Sequence, residues 1–508
     1  MRKKKKKKKR KREEDEESNS NAVKKTQKSS DDGMIAARSA KVEEWQALHK
    51  VTVDDKAFVP CMTWSESTAF VGKAFTEYCA KTKKWEAPTP IQAQCWPILA
   101  TGRDAVAIAE TGSGKTLGFA APALLRLSKE TDTSNKKLGG KNIPTRFVAL
   151  CPTRELAQQS FEVVGEFATI FQVACGVAYG GINKRDQRAA IGACAVLIAT
   201  PGRLDDLVQS KELDLSAVDF LVLDEADRML DMGFLQVVRG LAAACQPCEK
   251  RITCMFSATW PAEVRKAAHD FMRNDFVFIT VGQNERSRDT EDGSGDNPVA
   301  NARVVQTVIV LEERQRDSRL LNVLEQHFPT DAEYRRHKVI VFGLYKKECA
   351  RLERFLNDRG WDCAAIHGDM SQANRTKSFD AFKSGQVPLL VATDVAARGL
   401  DIPDVSLVIN YSFPLTVEDL VHRVGRTGRA GKKGKAVTFF HGGAHEKALA
   451  GAFQNVLRQA NQPVPSALLA FGSTVKKKEH KLYGAFGPKS GSASDGAPMK
   501  KPTKITFD

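Results

Sequence analysis

At 508 residues the chain exceeds one ordinary domain, and its 42% hydrophobic content excludes a wholly disordered polymer. The formal net charge of +16 sits mostly at the ends: residues 1–40 hold 15 Lys/Arg against 7 Asp/Glu, and residues 473–508 hold 8 against 3. The longest apolar runs, such as "FLVL" at 220–223, fall far short of the roughly 18 residues a membrane span needs, so no membrane association is expected.

The N-terminus, "MRKKKKKKKRKREEDEE", is a basic block followed by an acidic one. Residues 1–45 bury too little apolar surface to fold and read as a disordered tail for nuclear import or nucleic-acid contact. The tail has no apolar stretch of the secretory type. Eleven scattered cysteines suit a reducing compartment. The lone CxxC at 245–248 lacks a second ligand pair and reads as two ordinary thiols.

From residue 60 the pattern alternates short apolar runs with helical stretches: "DAVAIAE" (104–110), "RFVALCP" (146–152), "AVLIAT" (195–200), "FLVLDEAD" (220–227) and "ITCMFSAT" (252–259). Continuous apolar strands are buried on both faces, which predicts a parallel sheet covered by crossover helices. Residues 60–282 form a first α/β domain in this reading. Residues 283–303, rich in charge, Gly and Pro, read as a linker. Strand-like runs resume at 304–312, 338–343, 363–368, 388–393, 405–410 and 435–440, giving a second α/β domain over 304–470. Residues 473–508 read as a basic flexible tail, whose lysines with Tyr483 and Phe486 would suit capture of a nucleic acid.

Ligands bind at the carboxyl ends of such strands. "AETGSGKT" follows the first strand and opens a helix. In it, Ala109, Thr111, Gly112, Ser113, Gly114, Lys115 and Thr116 make a phosphate loop. Lys115 reaches the terminal phosphates, and the Thr116 hydroxyl is placed for Mg2+. A strict loop carries Gly where this chain has Ala109. A nucleoside triphosphate on such a loop needs a hard cation, and Asp224, at the end of "FLVLD", is the second expected metal ligand. Glu225 beside it can orient or deprotonate the attacking water. An acidic N-cap on the next helix would account for one of these carboxylates, not for Asp224, Glu225 and Asp227 in that order. Further along, "HRVGRTGR" (422–429) packs arginines among glycines and suits neutralisation of charge on a transferred phosphoryl group.

With "DEAD" at 224–227 beside this loop, residues 60–470 resemble the DEAD-box RNA helicases of superfamily 2. The resemblance implies two tandem RecA-like domains, each a mostly parallel sheet flanked by helices. "APTPIQ" is similar to the adenine-recognition motif, with Gln92 reading the base edge and Trp64 as the stacking aromatic. The family usually carries Gly-Phe where this chain has Lys84-Trp85. "PTRELAQQ", "GG" and "TPGRL" resemble the RNA-backbone motifs, implying Arg154, Gly180, Gly181, Thr200, Gly202 and Arg203 as RNA contacts. "SAT" resembles the element coupling nucleotide state to strand separation, with Ser257, Thr259, Asp227 and His422 in coupling roles. In the second domain Arg375, Thr393 and Arg398 are expected at RNA, Asp401 at the ribose, and Arg426 and Arg429 as arginine fingers.

The resemblance thus implies an ATP- and Mg2+-dependent RNA helicase that opens duplexes locally by closing a cleft between its domains. A DNA helicase and an ATP-gated RNA clamp are the alternatives; Gln92 and the DEAD form argue against the first, and intact Lys115, Glu225 and Arg429 against the second. The Lys-rich N-terminus resembles the fungal nucleolar branch of the family. That branch implies work on pre-rRNA for the large (60S) ribosomal subunit, in nucleus and nucleolus, with ribosome-assembly proteins as partners and a monomeric state.

Overall fold

The chain is described by a computed structural model at residues 38–110, 112–134, 143–282, 303–328, 330, 334, 337–397, 402, 404–429 and 432–473. All but the last residue of the expected linker and all but the first residue of the basic C-terminal tail lie outside these residues, as do positions 1–37.

The first sheet contains β1 (Val51–Val53), β2 (Ala105–Ala109), β3 (Phe147–Leu150), β4 (Cys175–Ala178), β5 (Val196–Ala199), β6 (Phe220–Asp224), β7 (Ile252–Ser257) and β8 (Val277–Val281). Their order is β1-β8-β2-β7-β6-β3-β5-β4, and every pairing is parallel except β1 against β8. The second sheet contains β9 (Val304–Val310), β10 (Lys338–Gly343), β11 (Cys363–Ile366), β12 (Leu389–Thr393), β13 (Val405–Asn410) and β14 (Gly434–Phe440). It is parallel throughout, ordered β11-β12-β10-β13-β14-β9. Two tandem RecA-like domains are therefore present, as expected.

Period-two side-chain alternation divides each sheet between two cores. In β2, Ala105, Ala107 and Ala109 pack into one cluster with Phe119 and Trp96, while Val106 and Ile108 pack into the other with Leu221 and Met255. In β10, Val339 and Val341 face Leu352 and Leu356, and Ile340 and Phe342 face Leu420 and Phe453. Burial on both faces is why these strands read as unbroken apolar runs.

Three corrections follow. Helix occupies 38–49, so folded structure begins inside the expected 1–45 tail. The first sheet also starts before residue 60: β1 pairs Val51 with Val281 and Val53 with Ile279. Finally, β4 and β8 were not anticipated as strands; β4 lies at an edge with alternating burial, so its pattern is weaker.

At Lys84-Trp85 the backbone explains the family's glycine, because Lys84 has φ 56°, a left-handed conformation. That geometry costs an L-residue with a Cβ about 1–2 kcal/mol. Lys84 is exposed, so Lys84→Gly is expected to stabilise the fold by about 0.5–1 kcal/mol after the added unfolded-state entropy. A raised urea midpoint at unchanged slope checks this.

Candidate functional site

The phosphate loop joins β2 to the helix Lys115–Ser134. Gly112 (φ +78°) and Gly114 (φ +93°) both need backbone that side chains avoid. A Cβ on Gly114 would lie 2.6 Å from Gln92 Nε2, so the turn closes directly on that side chain. Gln92 is 4% exposed. Its amide donates to the Gly114 carbonyl at 3.1 Å, and its Oε1 accepts the Thr89 N–H at 3.1 Å. Gln92 thus caps its own helix through its carbonyl and braces the phosphate loop through its amide. Lys115 is buried and donates to the Ala109 carbonyl at 2.9 Å, while Ser113 Oγ donates to the Glu110 carbonyl at 2.8 Å. Thr111 lies outside the described residues. Trp64 is half-buried, pinned by an Nε1 hydrogen bond to the Trp85 carbonyl at 2.9 Å and packed 6.2 Å from Trp96.

Asp224 closes β6 at 3% exposure. Burial pushes its carboxyl up to about 7, against the opposing pull of the Lys115 ammonium. A buried carboxylate beside one lysine is short of positive charge, which is where a divalent cation fits. Among the described residues no three His, Cys, Asp or Glu side chains group as a metal site. One carboxylate plus the Thr116 hydroxyl suits Mg2+, which keeps several waters and binds substrate phosphates. Glu225 is 5% exposed and left-handed (φ 51°, ψ 53°), its N–H donating to Asp224 Oδ1 at 3.0 Å. This strained residue ends the strand and opens the helix Ala226–Asp231, a placement typical of functional positions.

The second domain meets this wall. Asp227 Oδ2 accepts from the Thr259 N–H (3.1 Å) and hydroxyl (2.7 Å) and lies 3.5 Å from His422 Nε2. Burial works against the Asp227 charge, but His422, Arg228 and Thr259 together hold the carboxyl well below its usual range. Burial, then the Arg228 guanidinium, lowers the His422 imidazole. Ser257, at the end of β7, is fully buried. Arg426 is buried with Nε on the His422 carbonyl at 3.1 Å. Arg429 donates to the Gly425 carbonyl at 3.0 Å, and its stem passes so close to Gly112 that a Cβ there would sit 3.3 Å from it. The three segments 109–116, 224–227 and 422–429 therefore converge on one cleft.

A cationic cluster also spans the domains. Arg154 is lowered first by burial and next by the neighbouring Arg375, with Arg203 adding to that repulsion. Arg154 packs on Gly180 and Gly181, where a Cβ on Gly181 would lie 2.3 Å from Nη1, and it donates to Gln372 at 3.3 Å. Arg375 pairs with Glu155 at 2.6 Å across the cleft. Arg203 is held within the first domain by Gln187 (2.7 Å) and the Ile182 carbonyl (3.1 Å). Thr200 stands at the N-cap position of the helix Pro201–Gln209 without a side-chain capping bond, and Gly202 in its first turn has open space where a Cβ would stand. Thr393 ends β12, followed by Asp394, which takes Arg423 bidentately at 2.6 Å. Arg398 and Asp401 lie outside the described residues.

Sequence reasoning missed the interdomain partners. Arg228, 1% exposed, bonds Asp419 at 2.5 Å, and Glu155 and Gln372 hold the Arg154–Arg375 cluster. Their signal was adjacency: Arg228 follows "DEAD", and Asp419 opens the helix Val417–Val424 that carries His422. In the CxxC segment, Cys245 Sγ bonds the Leu241 carbonyl and Cys248 Sγ the Phe271 carbonyl.

Residues 89–267 match the DEAD/DEAH box helicase family, and residues 318–431 match the helicase conserved C-terminal domain. The chain is 48% identical to the ATP-dependent RNA helicase dbp3 of Sclerotinia sclerotiorum, over 84% of this chain and 68% of that protein. It is 44% identical to the ATP-dependent RNA helicase DBP3 of Yarrowia lipolytica, over 94% of this chain and 82% of that protein. With DEAD-box ATP-dependent RNA helicase 5 of Arabidopsis thaliana it shares 47% identity over 85% and 75% of the two chains. Among solved structures it is similar to Mss116p bound to ssRNA and AMP-PNP, with TM-score 0.67 and 25% identity over 82% of each chain. It is also similar to S. cerevisiae Dbp5 bound to RNA and ADP BeF3, with TM-score 0.63 and 25% identity over 82% of this chain and 94% of that one. Two mostly parallel sheets, their motifs meeting in one cleft, and this level of identity agree: the chain belongs to the DEAD/DEAH box helicase family, in its DEAD-box branch of ATP-dependent RNA helicases.

Proposed function

We propose that the protein hydrolyses ATP in the cleft between its domains and uses closure of that cleft to open short RNA duplexes or strip bound protein. The observation that carries this reading is the approach of the Arg429 stem to the Gly112 turn, which leaves one wall for the phosphates and one for the charge that develops on them. Loop 109–116 holds the phosphates and Lys115 swings from the Ala109 carbonyl to the terminal ones. Thr116 and Asp224 would hold Mg2+, which, when bound, neutralises phosphate charge. Glu225 orients the water and accepts its proton; Arg426 and Arg429 stabilise the phosphoryl group in transfer. Asp227, Thr259 and His422 tie the nucleotide wall to the second domain. Because ATP and RNA each bind across both domains, each favours closure and strengthens the other.

The arginine cluster supports a nucleic-acid backbone as the polymer gripped, and the Mss116p and Dbp5 structures similar to this chain are bound to RNA. Arg154, Arg203 and Arg375, with backbone at Gly180, Gly181, Thr200 and Gly202 and with Thr393, offer contacts to phosphates that carry no sequence preference. Gly181→Ala is expected to displace the Arg154 guanidinium and weaken single-stranded RNA binding roughly tenfold, about one charge-assisted contact. ATP binding without RNA should be unchanged; fluorescence anisotropy and nucleotide titration check the two.

The finer assignment is pre-rRNA processing in large-subunit assembly, in the nucleolus. Its support is the Lys-rich block at residues 2–12 and the identity to proteins named dbp3. Strand release from a short RNA duplex and from the DNA duplex of the same sequence, each with ATP, tests the activity. Release of RNA alone is the expected result; release of DNA would mean a DNA helicase, and binding without turnover a clamp. Sequencing RNA crosslinked to the protein in cells tests the assembly role.

A further inference from the structure

A cavity of about 360 Å3 lies at the carboxyl ends of four neighbouring strands, β10, β13, β14 and β9, and its lining includes none of Gln372, Arg375, Asp419, His422, Arg426 and Arg429. Its polar floor is fixed. Glu348 accepts from the Leu344 N–H (2.6 Å) and the Ser412 hydroxyl (2.7 Å), and Glu446 from the His441 (2.7 Å) and Gly442 (3.0 Å) N–H groups. Arg316 donates to Ser412 Oγ at 2.8 Å and to Glu313 at 2.6 Å. Three carboxylates line the cavity against one guanidinium, 3.6 Å from Glu348, and two imidazoles, of which His441 lies 3.2 Å from Glu446, in a chain whose net charge is +16. Such a lining repels phosphates and favours a basic visitor. The rim is apolar: Tyr345 is 65% exposed, and Leu415, next to the Pro414 carbonyl that contacts His445, is 50% exposed.

The chain itself supplies a basic segment at this spot. Phe471 packs on Phe440 at 5.1 Å and fits over Gly442, where a Cβ would lie 2.2 Å from the ring. Gly472 is held by Gln454 Nε2 on its carbonyl at 2.8 Å. Phe471 and Gly472 are anchored beside the His441–Glu446 wall, and residues 474–508 follow in sequence on Gly472 and Ser473. They begin "TVKKKEHKLYGAF", with Lys476, Lys477, Lys478 and Lys481 followed by Tyr483 and Phe486. From Ser473 to Tyr483 an extended chain spans up to about 35 Å, ample to bring lysines and an aromatic ring over the cavity.

We propose that residues 476–486 of this chain dock in this cavity, lysines against Glu313, Glu348 and Glu446 and an aromatic ring against Tyr345 and Leu415. The floor is shared with the catalytic side, because Arg423 donates to the Ser412 carbonyl at 2.6 Å and Thr416 caps the helix that carries His422. A docked segment would thus rest on the support of the helix that meets Asp227.

Zero-length carbodiimide coupling on the full chain, without RNA and in a mixture of isotopically light and heavy protein, tests this by mass spectrometry. The expected products join Lys476–Lys478 or Lys481 to Glu313, Glu348 or Glu446 within one chain. Glu313→Lys and Tyr345→Ala, both surface changes, should each lower their yield about tenfold, the loss of one good interface anchor. Coupling of the segment to other sites, coupling only between light and heavy copies, no coupling at all, or yields unmoved by both variants would each overturn the proposal.

Discussion

Glu225→Gln is expected to leave ATP and RNA binding close to wild type while cutting turnover about 100- to 10,000-fold, the range for a lost general base. The change is isosteric, so the left-handed backbone at φ 51° and the N–H bond to Asp224 are untouched. What disappears is the proton acceptor. Asp224 cannot substitute, since its buried carboxyl is pushed up to about 7 without a cation and is committed to the cation when one is bound. Nucleotide and RNA titrations with single-turnover phosphate release separate binding from chemistry. Near-normal release would remove Glu225 from its assigned role and shift attention to the arginines of 422–429.

The same residue shows what the sequence could convey. Strands such as β2, β3 and β10 were legible because burial on both faces leaves only apolar letters, and the phosphate loop because glycines at positive φ cannot be replaced freely. By contrast, β1 has three residues and owes its existence to pairing with β8, more than two hundred positions away. Gln92 was legible as important but not in its orientation, since a carboxamide offers both a donor and an acceptor and the partner decides which is used. The pairs across the cleft were invisible for a related reason. Glu155 and Arg375 are common surface letters, and only the closed arrangement of two domains makes them partners.

Arg228 and Asp419 offer the sharpest test of that closed arrangement. They sit 191 residues apart in sequence, at 1% and 8% side-chain exposure, 2.5 Å from each other. Burial opposes the guanidinium charge, yet Asp419 and Asp227 more than offset it and hold the group charged. Parting the domains would return both groups to water, so a lone survivor is penalised only when the cleft shuts. Removing one member of a buried pair costs about 3–5 kcal/mol; with Asp227 and Asp231 still near Arg228, about 2–3 kcal/mol is expected for Asp419→Leu. That penalty should raise the RNA concentration for half-maximal ATPase roughly 30- to 150-fold, with nucleotide binding in the absence of RNA unchanged. Arg228→Met should behave alike. Combining Arg228→Met with Asp419→Leu replaces a desolvated ion pair by apolar contact, which is often neutral, so most of the loss should return. Single variants that match wild type, or a double variant as impaired as the sum of the two, would mean that this pair does not hold the domains together during turnover.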